Sequence, residues 1–255
     1  MCFSTTLLSN LSGVLSTSGV IILLLLSPLS LTAQPQHLVA ASAADLIGAQ
    51  ADLAAEFEKA ESISVRFSTG ASGILSQQIE NGAPFDVFLS ANEKFVKDLA
   101  AAGKIDPSSV AVYATGRLGL WSKDGKIRDL KELLASRVKR VAIANPQFAP
   151  YGAAAKDLLT RRGEWQALEP KIIYGENVTQ TFQYAESGNV DAAITSWTLL
   201  FDRGGVLLPP DHAPIRQACG VVSGSRQKDL ARKFLAFLLS GEGRAILAHH
   251  GLTPP

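Results

Sequence analysis

Apolar positions along this chain follow two alternating rhythms. Short runs with apolar residues at every second place, or at consecutive places, predict strands at residues 37–40, 63–67, 84–89, 117–121, 138–144, 172–174, 192–195, 206–208 and 215–222. Between them, apolar residues spaced three and four apart predict helices. Leu46, Ala49, Leu53 and Phe57 form one such stripe, which predicts a helix over 43–59. Further helices are predicted at 74–80, 93–101, 130–134, 152–162, 178–186, 230–239 and 244–249. Alternation of strand and helix predicts an α/β fold with largely parallel sheets covered on both faces. Ligands of such folds bind beyond the carboxyl ends of strands.

The opening of the chain breaks this rhythm. No Lys, Arg, Asp or Glu occurs before Asp45, and an apolar run from Val20 to Leu26 stands ahead of Pro28. The run falls short of the roughly 20 apolar residues of a membrane-spanning helix. It matches the apolar region of a secretory signal, and cleavage is expected after Ala33, giving a leader of residues 1–33. Export to the periplasm, or another extracytoplasmic space, follows as the expected location. Of the two cysteines, Cys2 would leave with the leader and Cys219 lies in an apolar run, so a buried, inert thiol is expected there. Charge is balanced at 24 basic against 23 acidic residues. That speaks against nucleic acid as a partner.

Candidate chemistry sits in four strand-to-helix loops: 40–45, 69–73, 148–152 and 175–179. Each offers small or hydroxyl residues just ahead of a helix. Helix starts carry unpaired N–H groups and partial positive charge, and so suit anions. Each loop also has a plainer reading. Ser42 with Asp45 three places on reads as a capping box, Ser72 reads as a cap, and Pro150 is a common helix-start residue. Spacing alone does not decide whether the four ends meet. An enzyme is disfavoured: no GxSxG, P-loop or GxGxxG occurs, and His249 and His250 are adjacent rather than four apart.

The segment VAASAAD at 39–45 resembles the opening of the molybdate-binding proteins of ABC importers. GASGILSQQIENGAPFDVFLSAN at 70–92 resembles that family's most specific signature, with Phe85 at a usual alanine. NPQFAPYGAA at 145–154, GENV at 175–178 and GNVDA at 188–192 continue the similarity in order to the C-terminal GRAILAHHGL. The resemblance implies a two-lobe periplasmic-binding-protein fold of type II. Each lobe would be a mixed, mainly parallel sheet, joined by a two-segment hinge, with lobe I at 34–115 plus 220–255 and lobe II at 116–219. It implies capture of molybdate or tungstate without a cofactor, delivery to a membrane permease, and a monomer. By position, Ser42, Ser72, Tyr151, Val178 and Ser196 would hold the oxyanion. Molybdenum would enter only as that oxyanion. Ser196 stands near the place where many relatives carry a tyrosine. None of these contacts is a carboxylate, so a protonated ion such as phosphate would find no acceptor and be rejected. Sulfate is the runner-up ligand.

Overall fold

A computed structural model of the protein describes residues 37–255. The expected leader and Cys2 lie outside the described residues. The first part of the chain forms β1 (His37–Ala43), α1 (Gln50–Glu61), β2 (Ser64–Gly70), α2 (Ser72–Glu80), β3 (Val87–Ser90), α3 (Glu93–Ala101) and β4 (Ala111–Gly116). The middle forms β5 (Leu118–Trp121), β6 (Val141–Ala144), α4 (Pro150–Arg161), α5 (Trp165–Leu168), β7 (Ile172–Gly175), α6 (Val178–Ser187), β8 (Ala192–Ser196) and β9 (Val206–Leu207). The chain ends with β10 (Ile215–Val221), α7 (Lys228–Leu239) and α8 (Gly241–His249).

These strands make two five-stranded sheets, ordered β2-β1-β3-β10-β4 and β7-β6-β8-β5-β9. In each sheet three strands are parallel and the fourth runs antiparallel to both neighbours. The odd strand is exchanged between the parts of the chain. β10 returns from the far end of the sequence to complete the first sheet, and β5 is the first strand laid into the second. The chain therefore crosses between sheets at Arg117 and again between β9 and β10.

Central strands β3, β6 and β8 are buried along their whole length, as strands covered on both faces must be. Helix α7 turns Ala231, Phe234, Leu235 and Leu238 onto the first sheet, and Phe234 meets Phe57 of α1 edge to face at 5.1 Å. Cys219 is fully buried in β10, where burial pushes its thiol up to about 12.

Two differences from the sequence pattern matter for the site. The helix expected over 43–59 is divided: a 3-10 turn spans Ala44–Leu46 and α1 begins only at Gln50. Leu46, Ala49, Leu53 and Phe57 are all buried, so the apolar stripe holds while the backbone between its members does not stay helical. Gly48, a poor helix former, sits at the interruption. The capping box expected of Ser42 and Asp45 is absent, because Ala43 precedes the turn and neither side chain caps it. The pattern also misses β4. Its small residues show no clear period, and its pairing depends on β10, about a hundred residues further along.

Candidate functional site

The carboxyl ends of β1, β2, β6 and β7 lead into the 3-10 turn, α2, α4 and α6. These four starts meet. Together they line a small, partly open cavity. Its wall is largely alanine, from positions 43, 44, 71, 91 and 149, with Asp45, Ser72, Tyr151, Asn177 and Val178 as the larger or polar members. Hydrogen bonds tie the first-sheet side to the second-sheet side. Gly73 N–H donates to the Phe148 carbonyl at 2.8 Å, and the Thr198 hydroxyl donates to the Asp45 carbonyl at 2.7 Å.

The helix starts differ in how they are capped. Side chains of Asn92 and Ser240 cap α3 and α8, while α1 and α7, outside the cavity wall, have no side-chain cap. Helices α2 and α4, which open onto it, follow Ala71 and Ala149 and receive no side-chain cap. The Gly73 N–H of α2 is taken by the Phe148 carbonyl and Pro150 has no N–H, so the starts of α2 and α4 offer the N–H groups of Ser72 and Tyr151 to an anion. At α6 the Asn177 side chain accepts from Gln180 N–H at 3.0 Å, which leaves Val178 N–H at the first position of the turn. Ser72 Oγ accepts from Ala91 N–H at 3.0 Å, so its own hydrogen is free to donate.

Of the five residues singled out in the sequence, Ser72, Tyr151 and Val178 line the cavity. Ser42 and Ser196 are fully buried and do not. Ser42 Oγ accepts from Gln50 Nε2 at 3.2 Å, behind the wall formed by Ala43 and Ala44. Ser196 caps a short 3-10 turn and lies 2.8 Å from the Thr198 hydroxyl, which in turn holds the Asp45 carbonyl. It supports the wall from behind.

Two features of the site go beyond the sequence reading. The first is the Tyr151 side chain. Its ring is buried, and its hydroxyl donates to Asp45 Oδ2 at 2.9 Å. Gln217 Nε2 donates to both of these groups, while Gln217 Oε1 accepts from the Tyr113 hydroxyl at 2.7 Å. Asp45, Gln217 and Tyr113 belong to the first sheet and its turn, and Tyr151 to α4 on the second, so this network spans the cleft. It fits only because residue 116 is glycine: a Cβ there would fall on the Tyr151 hydroxyl.

The second is Asp45 itself, a carboxylate in the wall. It is 1% exposed, and burial pushes its carboxyl up to about 6 against the pull of the hydrogen bonds from Gln217 and Tyr151. The expectation that no carboxylate stands at the site is therefore corrected, and rejection of a protonated oxyanion no longer follows from a missing acceptor. A signal was present in the sequence. Asp45 is the first charge of the chain, inside an otherwise apolar segment, and Gln217 likewise interrupts an apolar strand. Among the described residues, no group of three or more His, Cys, Asp and Glu is placed to hold a metal ion.

Residues 38–253 match the family model described as bacterial extracellular solute-binding protein. The chain is 32% identical to the molybdate-binding protein ModA of Rhodobacter capsulatus, over 92% of this chain and 95% of that one. It is 31% identical to the ModA of Azotobacter vinelandii, over 92% and 97%. Its structure is similar to that of the Azotobacter vinelandii periplasmic molybdate-binding protein, with a TM-score of 0.80 and 29% identity over 86% of this chain and 99% of that one. These relatives are binding proteins and not enzymes, and the same holds of this chain. With the family model spanning both sheets and both crossings, the chain belongs to the bacterial extracellular solute-binding proteins.

Proposed function

We propose that this protein captures molybdate, and tungstate with it, in the cavity between the two sheets and presents it to the permease of an ABC importer. One observation carries the reading: the starts of α2, α4 and α6 converge on a small cavity, with Ser72, Tyr151 and Val178 in its wall. A tetrahedral oxyanion supplies the missing acceptors. The Ser72 hydroxyl and N–H, with the N–H groups of Tyr151 and Val178, form the cage. Molybdenum keeps its four oxo groups, and no protein atom coordinates it. The ModA relatives, named for molybdate, support the choice of ion.

In this reading each sheet with its helices is a lobe. The first takes residues 34–115 and resumes after the second crossing, before β10, which pairs in the first sheet from Ile215 on. Closing the lobes would expel water and strengthen every contact to the ion. The mature protein would work as a periplasmic monomer after loss of its leader, with no nucleic acid as partner.

Calorimetric titration with molybdate, tungstate, sulfate and phosphate tests the reading. The first two should bind at one ion per chain. Sulfate is smaller and leaves long hydrogen bonds. A loss of about 1 kcal/mol at each of the four donors makes it about a thousandfold weaker. Equal binding of sulfate, or no binding of molybdate, would overturn the proposal.

A further inference from the structure

The cage of neutral donors leaves Asp45 unused, although Asp45 lines the same cavity. Its two carboxyl oxygens are held differently. Oδ2 accepts from the Tyr151 hydroxyl and from Gln217 Nε2. Oδ1 is buried and accepts no hydrogen bond from any other residue. Arg117 Nε and Glu164 Oε2 are also buried without a hydrogen-bond partner, yet neither residue lines the cavity. The groups packed about the carboxyl are Tyr151 from α4, Gln217 from β10 and, beyond it, Tyr113 from β4 with Cys219 beside it. Tyr113, Tyr151 and Cys219 are all pushed up by burial and stay neutral. No Lys, Arg or His side chain among the described residues donates a hydrogen bond to Asp45.

This geometry sets two outcomes for an arriving dianion. An ionised Asp45 would place a like charge in the wall of the cavity. A neutral Asp45 presents an O–H donor from the same position, because a protonated carboxyl donates where a carboxylate only accepts. Burial raises the carboxyl to about 6, so the required proton can be gained at small cost near physiological pH.

Resting on the reading that the cavity takes molybdate, we propose that Asp45 binds the oxyanion as a neutral carboxyl, so that each ion captured carries one proton into the site. The proton comes from solvent, bonds to Oδ1, and points at an oxo group of the ion. No bond to molybdenum forms or breaks. Once bound, the dianion holds the carboxyl protonated still more firmly. Asp45 thereby makes affinity depend on pH, which the neutral cage alone would not do.

The test is calorimetric titration of the full protein with molybdate in two buffers of different ionisation heat, repeated at several pH values. Above the carboxyl's pKa in the empty site the expected result is uptake approaching one proton per ion, with affinity falling about tenfold per pH unit, and uptake should vanish below that pKa. Asp45→Asn, which replaces the carboxyl by a permanent donor, should take up no proton and bind with a flat pH profile. Asp45→Ser serves the same purpose should the first variant fail to fold, and the proton count on the natural protein stands without either. Uptake near zero with a flat profile in the natural protein would overturn the inference, as would a variant that keeps the natural slope. Absence of molybdate binding at every pH would overturn both this inference and the reading beneath it, whereas binding without proton uptake overturns this inference alone.

Discussion

At the scale of single residues, Asp45 and Gly116 matter most, because one side chain, Tyr151, depends on both. The Asp45 carboxyl rises from an ordinary 3.8 to about 6 in the fold. The folded chain thus holds this proton more tightly than the unfolded chain does. Its contribution is intact below about pH 4, is lost as pH rises towards 6, and is level beyond, with a total of about 3 kcal/mol. Glu93, Asp106 and Asp157, held low by neighbouring cations and donors, act in the opposite sense. The clean comparison is therefore the difference between natural protein and Asp45→Asn in urea unfolding without ligand. That difference should favour the variant more at pH 7 than at pH 4. An equal difference at both would contradict the assigned ionisation. Gly116→Ala should displace the Tyr151 hydroxyl, breaking its bonds with Asp45 and Gln217, and lower stability by about 1–3 kcal/mol by the same measurement. Asp45 stood out in the sequence as a lone charge in an apolar segment, but the role of Gly116 was not legible there. A glycine's obligation to a side chain 35 positions away has no local signature, and the Tyr151 ring could be placed only once the two sheets faced each other.

At the scale of elements, the helix starts are what the sequence displayed well. The strand-to-helix loops at Ser72, Tyr151 and Val178 fall where small residues precede an apolar periodicity, and all three open on the cavity. The first loop was misread for a physical reason. Ser42 next to a helical stripe looks like a cap, but in the fold it belongs to β1, and the turn beyond it brings Asp45 forward instead. Ser196 lies outside the cavity wall, where its hydroxyl oxygen accepts from Thr198 N–H in the turn it caps. The uncapped start of α2 leads to a mutational prediction. Ser72→Ala removes a donor to the ion and also the acceptor of Ala91 N–H. Molybdate affinity should fall about tenfold to a hundredfold, and the ligand-free protein should lose about 1–3 kcal/mol. Unchanged affinity in calorimetry would remove Ser72 from the cage. Asn177→Ala strips the cap from α6 and should cost about 1 kcal/mol of stability, read from thermal unfolding.

For the whole molecule, the two sheets carry the same strand order, and each borrows its fourth strand across a crossing. The alternating pattern was enough to expect parallel α/β layers. The exchange of β5 and β10 was not visible in that pattern, since it is fixed by pairing between residues about 70 to 110 positions apart. This arrangement lets one ion, held from both sides, stabilise the entire fold. At about a thousandfold excess over its dissociation constant, molybdate should add about 4 kcal/mol to the unfolding free energy. A marked rise in melting temperature with molybdate, and little with sulfate, is expected.

The central claim is that molybdate sits among the helix starts. A crystal structure of the molybdate complex, with molybdenum located by its anomalous scattering, tests this most directly. The account predicts one strong peak inside the cavity, with oxo groups in hydrogen-bonding reach of Ser72 Oγ and the N–H groups of Tyr151 and Val178. A peak elsewhere on the protein, or an occupied cavity without molybdenum, would contradict it.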